Sequence, residues 1–194
     1  MKSLFNFIIT TDDRYNNKID LDGNELIVNT EITERDYMYV NRIGIVTNLP
    51  ILTETQIKVG DEVIVHHNVF RRWIDQHGVE KNGKSFLSED TYTVEQDQVF
   101  AYKRDGEWNA IQGYCFVSPI EEKNEWEMTS ELQLQGIMEI GDLKGHTVGF
   151  TPNSEYEFNI DGQKLYRVLS NQITVDYGCK TKKETNHRLE PQGA

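Results

Sequence analysis

Between Gln56 and Val65 the chain reads Gln-Ile-Lys-Val-Gly-Asp-Glu-Val-Ile-Val, and Ile57, Val59, Val63 and Val65 recur at every second position around Gly60-Asp61. A period of two marks half-buried strands. Gly60-Asp61 falls where a tight turn must bend one strand into the next, since glycine tolerates positive φ and aspartate bonds back to its own backbone. The same pattern predicts strands over Leu4–Thr11, Arg42–Thr47, Phe86–Val94 and Gln98–Lys103. After a turn at Arg104–Glu107 it resumes at Ile111–Ile120, Leu134–Ile140, His146–Phe150, Tyr156–Ile160, Leu165–Leu169 and Ile173–Tyr177. Pro119, unable to donate to a ladder, predicts a sheet edge or a strand end. Asp161-Gly162 is a strong hairpin turn, and Gln76–Ser85 reads as a polar hairpin. No segment carries a sustained helical period, so the class is all-β, a barrel or a sandwich.

The intervening segments are polar. Asp12–Asp22 has the composition of a loop and leads through Gly23-Asn24-Glu25 into the apolar triplet Leu26-Ile27-Val28. The triplet is either the next core strand or an apolar hook on a mobile segment that orders when it docks on a partner. Glu121–Glu131 is acidic and loop-like, and the chain is polar from Gly178 onward, the composition of a disordered tail. The two halves look alike: each opens on an apolar strand, passes a polar loop, and has a strand before a glycine turn, with Gly60-Asp61 matched by Lys144-Gly145. They read as two diverged copies of one β unit, over 1–107 and 108–178, with a tail over 179–194.

Charge and chemistry narrow the function. The net charge of −12 excludes a nucleic-acid backbone as partner, because phosphates need a Lys/Arg surface. No apolar run is long enough to span a membrane, and Met1–Thr10 lacks the cleavage site of a signal peptide, so a cytoplasmic protein is expected. Cys115 and Cys179 make neither a disulfide framework nor a metal cluster, and Cys115 reads as core filler. His66 and His67, as neighbours on a strand, should point to opposite faces and so not join one metal site. Asp20-Leu21-Asp22-Gly23 lacks the remaining ligands of a calcium loop. Arg71-Arg72-Trp73 reads as a surface strand. No phosphate loop, nucleophile elbow or Cys/His pairing occurs, so neither enzymatic activity nor a cofactor is expected.

The order of these pieces (strand, long polar loop, glycine with Leu26-Ile27-Val28, strand Arg42–Thr47, Ile57–Val65, hairpin, final strand) resembles the GroES family of small co-chaperonins over about Leu4–Lys103. Ile111–Glu122 and Tyr156–Val175 resemble its opening strand and closing hairpin. The resemblance implies two tandem GroES-like small β-barrels, with Gly60 and Asp61 in a barrel turn. Gly23, Leu26, Ile27 and Val28 would form the mobile loop that docks on a large GroEL-like chaperonin. It also implies a homo-oligomeric ring that lids the chaperonin chamber and assists unfolded substrate proteins indirectly. Tandem forms occur in plastid relatives and divergent single copies in large bacteriophages, so the chain is expected to be phage-encoded. The alternative is a phage virion or assembly protein that reuses the barrel. The sequence departs from the family in placing Asn24-Glu25 between Gly23 and the triplet, and in having no glycine-plus-triplet within Glu121–Gln133.

Overall fold

The computed structural model describes residues 2–16, 18–21, 23–27, 39–123 and 129–179. Val28 and residues 180–194 of the expected tail, with what was expected of them, lie outside the described residues, whereas Gly178 and Cys179, expected in that tail, pair with Thr147 and His146 in the last strand. The described chain is all-β with short 3-10 turns, and it forms several antiparallel sheets, none closed into a barrel. The first sheet is built from β1 (Phe7–Thr10), β4 (Ile43–Asn48), β5 (Glu62–Val65), β8 (Phe86–Ser88), β9 (Thr91–Val94), β10 (Val99–Arg104) and β11 (Glu107–Ala110), in the order β11-β10-β5-β4-β1-β9-β8. The second holds β12 (Tyr114–Lys123), β13 (Thr129–Ile140), β14 (His146–Phe150), β15 (Tyr156–Ile160), β16 (Gln163–Leu169) and β17 (Ile173–Cys179), in the order β15-β16-β12-β13-β14-β17. Two hairpins stand outside these sheets: β2 (Lys18–Leu21) with β3 (Asn24–Ile27), and β6 (Arg72–Ile74) with β7 (Glu80–Asn82).

Read outward from the same strand, the orders β10-β5-β4-β1-β9-β8 and β17-β14-β13-β12-β16-β15 are one order used twice. The likeness extends to register. Ile8 pairs with Asn48 and Ile9 with Val46 across a bulge, as Phe116 pairs with Ile140 and Val117 with Met138 across another. The Gly60 N–H donates to the Val46 carbonyl at 2.8 Å, and the Gly145 N–H to Met138, the Val46 counterpart, at 2.7 Å. Gly44 and Gly136 also correspond, because they face Val63 and Val148. At both a strand crosses too closely for a side chain. A Cβ on Gly136 would lie 2.6 Å from the Ser118 carbonyl oxygen, and one on Gly44 3.1 Å from that of Thr10 and 2.7 Å from the Ile9 Cδ1.

Each sheet packs a core of its own, with Ile9, Val46, Val63, Phe70 and Tyr92 in the first and Val117, Met138, Val148 and Val168 in the second. A third cluster joins them: Ile64, Phe100 and Ala101 of the first sheet pack against Phe116, Ile140, Phe158, Ile160 and Leu165 of the second. At the rim of this seam Asp161 accepts from Lys103 Nζ at 3.1 Å and from Trp108 Nε1 at 3.0 Å.

Several expectations are corrected. Gln56–Val59 is not a strand: it pairs with nothing, Ile57 turns into the core and Val59 out to solvent, so Gly60-Asp61 closes a loop between β4 and β5. Phe86–Val94 is two strands, because Glu89-Asp90, with Asp90 at φ 61°, folds β8 back on β9. Lys18–Leu21, expected as loop, pairs with Asn24–Ile27. Of the segment Glu121–Glu131, expected as loop, the described ends are strand: Glu121 pairs with Glu131 and Lys123 with Thr129 in a continuation of the β12–β13 hairpin. Pro119 lies within β12, beyond the point where pairing with β16 ends at Val117, so its missing donor faces no ladder there. The 107/108 boundary read from the sequence falls inside β11.

The glycine crossings give a stability prediction. Gly44→Ala and Gly136→Ala should each cost about 1–3 kcal/mol. The cost should be larger at Gly136, where the clash is with backbone and cannot be relieved by a rotamer change. Thermal unfolding checks this, and a Gly136→Ala protein melting with the wild type would contradict the close approach.

Candidate functional site

The candidate site is the segment inserted between β1 and β4. Its root is fixed. The chain leaves at Tyr15 and returns at Val40, which form an antiparallel bridge: Asn16 N–H donates to Tyr39 O at 2.7 Å and Asn41 N–H to Arg14 O at 2.9 Å. Both residues are buried in the first core. The Tyr15 hydroxyl accepts from the Arg72 N–H at 3.1 Å, and the Arg72 guanidinium lies 5.3 Å from the ring centroid. Sequence reasoning missed Tyr15, because a single aromatic in a run of Asp, Arg and Asn carries no periodic signal.

Beyond the root, β2 and β3 form a hairpin whose register, Leu21 opposite Asn24, leaves a two-residue turn containing Gly23. Leu26 and Ile27 are in β3, and this hairpin pairs with neither large sheet. The Leu26 side chain is 49% exposed, which removes it from the core. Gly60 and Asp61 lie elsewhere and serve a different purpose. The buried Asp61 carboxylate accepts from Arg104 Nε at 3.2 Å, Arg104 Nη2 at 2.5 Å and the Lys58 N–H at 2.8 Å. Arg104 Nη2 also donates to Gln56 O at 2.8 Å, so the pair ties the loop before β5 to β10. Burial disfavours the Asp61 charge, but the bonds from Arg104 and Lys58 outweigh it and hold the carboxyl below the ordinary aspartate value.

The root of the insertion opens on a cleft of about 490 Å³ lined by Asn16, Val40, Arg42, His67, Tyr156 and Tyr166, which both sheets contribute to. Arg42 follows directly on the root. Its Nη1 donates to the Tyr156 hydroxyl at 2.9 Å, and its guanidinium lies 5.2 Å from the Tyr156 ring and 4.8 Å from that of Phe158. The Tyr156 hydroxyl also meets His67 Nδ1. With Arg42 donating to the tyrosine oxygen, the tyrosine proton is free to go to a neutral His67, which makes Nδ1 the acceptor. Burial, then repulsion from His66, Arg42 and Arg71, pushes the His67 pKa down to about 3. Burial, Arg42 and Arg167 lower that of His66. The two imidazoles do not point to opposite faces: the chain leaves β5 into the 3-10 turn His67–Val69, and the rings lie beside each other, tilted by 30°, with centroids 4.2 Å apart. Among the described residues no group of three or more His, Cys, Asp or Glu side chains converges as metal ligands. No helix among them is long and apolar enough to cross a membrane.

This arrangement presents the half-exposed Leu26 side chain on a hairpin outside both large sheets, with charged side chains at the base of the insertion engaged in the fold. The sequence matches no known family profile, and no curated protein matches it at a significant level.

The neutral histidines make stability depend on pH. His67 in the unfolded chain takes up a proton below about pH 6.5, whereas the folded chain does so only near pH 3. Between those values the unfolded state holds more protons, so stability falls as pH falls. The urea midpoint should drop from pH 7.5 to pH 5. His67→Gln, which keeps an acceptor for Tyr156 but cannot titrate, should lose visibly less over that interval. Equal losses would contradict a neutral His67.

Proposed function

We propose that the chain is a tandem GroES-like co-chaperonin, two GroES-like β units in one polypeptide, that caps a large GroEL-like chaperonin and assists folding inside its chamber. The observation that carries this reading is the rooted hairpin inserted between β1 and β4, with Leu26 turned to solvent at a distance in sequence from the core positions Tyr15 and Val40. The repeated strand order supports the tandem part of the reading.

On this reading Leu26, Ile27 and Val28 dock on an apolar groove of the chaperonin as an added extended segment, main-chain bonds giving affinity and alternate side chains specificity. One such contact buries only a few apolar side chains, roughly 1.5–3 kcal/mol each at best, so a single arm binds weakly. Several chains assembled together convert the later contacts into intramolecular ones and multiply the affinity. The large chaperonin handles the nucleotide. The hairpin β12–β13, at the matching place in the second unit, lacks a glycine followed by an apolar triplet, so each chain offers one arm.

Capture by an immobilised bacterial chaperonin with ATP tests this. The wild type should be retained. Leu26→Asp should reduce retention at least tenfold with an unchanged unfolding midpoint, since the side chain is already half in water. Equal retention of the two proteins, or none of the wild type, overturns the docking role. Stable incorporation into virus particles with no chaperonin binding would identify the protein as a particle component instead.

A further inference from the structure

We propose that the cleft between the β6–β7 hairpin and the turn ahead of β10 binds a neutral saccharide, one sugar ring stacked on the Trp73 indole and its hydroxyls held by the polar side chains around it. The cleft encloses about 650 Å³ between the 3-10 turn His67–Val69, the hairpin and the 3-10 turn Gln96–Gln98. Small-ligand clefts run from about 300 to 1,000 Å³, so a mono- or disaccharide fits. Trp73 lines it and is 51% exposed. Arg72 turns to the root of the insertion, its guanidinium beside the Tyr15 ring, so alternation along β6 sets Trp73 on the other side of the hairpin. Among the described residues no hydrogen bond, cation or second ring engages the indole. The hairpin thus carries an aromatic face open to water, and the second unit, which turns directly through Thr151–Glu155, has no such hairpin.

The rest of the lining is polar and electrically balanced. Arg71 and Lys84 are offset by Glu95 and Asp97, and Lys84 Nζ already lies 2.9 Å from Glu95 Oε1. His66 adds no charge. The Asn68 N–H donates to its Nδ1 at 3.2 Å, and burial, Arg42 and Arg167 lower its pKa, so the ring is neutral with its proton on Nε2. A site with two cations and two anions gains little from a net charge on its ligand, and Asp97 opposes a phosphate. What the lining offers is donors beside acceptors. Gln98 Oε1 accepts from the Glu95 N–H at 3.2 Å, which leaves the amide nitrogen to donate. The Asp97 carboxylate accepts, and the hydroxyl of the buried Ser85 does either. A sugar hydroxyl donates and accepts at once, and the C–H face of a pyranose presents apolar, weakly positive hydrogens to the negative face of an indole. A nucleobase would stack on Trp73 as well, but its phosphate would meet cations already matched by carboxylates. The inference is independent of chaperonin docking, so Leu26→Asp should bind the saccharide as the wild type does.

Titration of the full chain with glucose, galactose, mannose, N-acetylglucosamine, maltose, cellobiose and lactose tests it, read on the tryptophan indole N–H signals in a proton–nitrogen correlation spectrum. Up to about 20 mM sugar, where a contact of millimolar affinity is saturated, at least one of them should move the Trp73 signal along a saturable curve. The signal of Trp108, whose Nε1 donates to Asp161, should stay in place. Saturation transfer from the protein to the protons of that sugar measures the same affinity in variants. Trp73→Ala and Asp97→Ala, both at exposed positions, should each weaken it at least tenfold with an unchanged unfolding midpoint, and Asp97→Ala decides if Trp73→Ala disturbs the hairpin. Binding of the methyl glycoside in place of the free sugar would identify the ligand as the end of a glycan chain, and its failure to bind as a free reducing sugar. No saturable shift with any sugar, a shift shared equally by Trp108, or wild-type affinity in the variants overturns the inference. So does a Trp73 signal that AMP or inorganic phosphate moves at lower concentration than any sugar.

Discussion

The structure depends on one seam, where the apolar face of Ile64, Phe100 and Ala101 meets Phe116, Phe158 and Leu165. Neither sheet closes on itself, so each needs its exposed face covered, and here each covers the other. Two arginines border the seam where water would otherwise enter. Arg42 lies over Tyr156 and Phe158, and Arg167 over Phe100, Tyr114 and Tyr156 at 5.0–5.4 Å. A guanidinium sheds its hydration more readily than an ammonium and finds compensation on the ring faces. The cost falls on the neighbours. Burial first, and then the nearby positive groups (Arg42 and Arg167 for His66; His66, Arg42 and Arg71 for His67), disfavour a proton on either imidazole, and a neutral His67 lets Tyr156 donate to it while accepting from Arg42.

The two units repeat one strand order but have diverged in what they insert into it. Between β1 and its partner β4 the first unit places the rooted hairpin, where the second extends the β12–β13 ladder past an irregularity between Pro119 and Glu121. Between β5 and β8 the first unit adds the β6–β7 hairpin, where the second turns directly through Thr151–Glu155. What has not diverged are the points where backbones touch. Gly44 and Gly136 persist because a strand passes over each with no room for Cβ, and Gly60 and Gly145 because each holds positive φ while bonding back to the same place on the preceding strand. The first unit carries the exposed Leu26 side chain, and the second, through Tyr156, braces Arg42 next to the root of the insertion.

How much of this the sequence revealed follows from the range of the interactions. Strands such as β4, β14 and β15 were legible because alternation is local and agrees with their pairing. The turns Asp105-Gly106 and Asp161-Gly162 were legible because both residues of each hold positive φ, the demand of a two-residue hairpin that Asp-Gly meets. Gln56–Val59 misled for the converse reason: Ile57 and Val59 alternate, but the partner strand is already occupied, since β4 bonds to β5 and β1. Lys18–Leu21 does alternate, with Ile19 and Leu21 between Lys18, Asp20 and Asp22, and its polar average hid that period. The pairing of Arg42 with Tyr156 spans 114 residues and has no local signature, and the ring contact of His66 with His67 depends on a 3-10 turn that a strand-based reading assigns to the wrong geometry.

A rooted hairpin is a particular solution to the problem of weak contacts. A fully flexible tether spreads its tip through a large volume and loses that freedom when it docks, at a cost set against every contact it makes. Here Tyr15 and Val40 fix where the insertion begins and ends, and the β2–β3 ladder already extends Leu26 and Ile27 in the conformation that strand addition requires. On the proposed reading the β2–β3 pairing lowers the ordering cost of docking, while Leu26 keeps its apolar side chain half exposed.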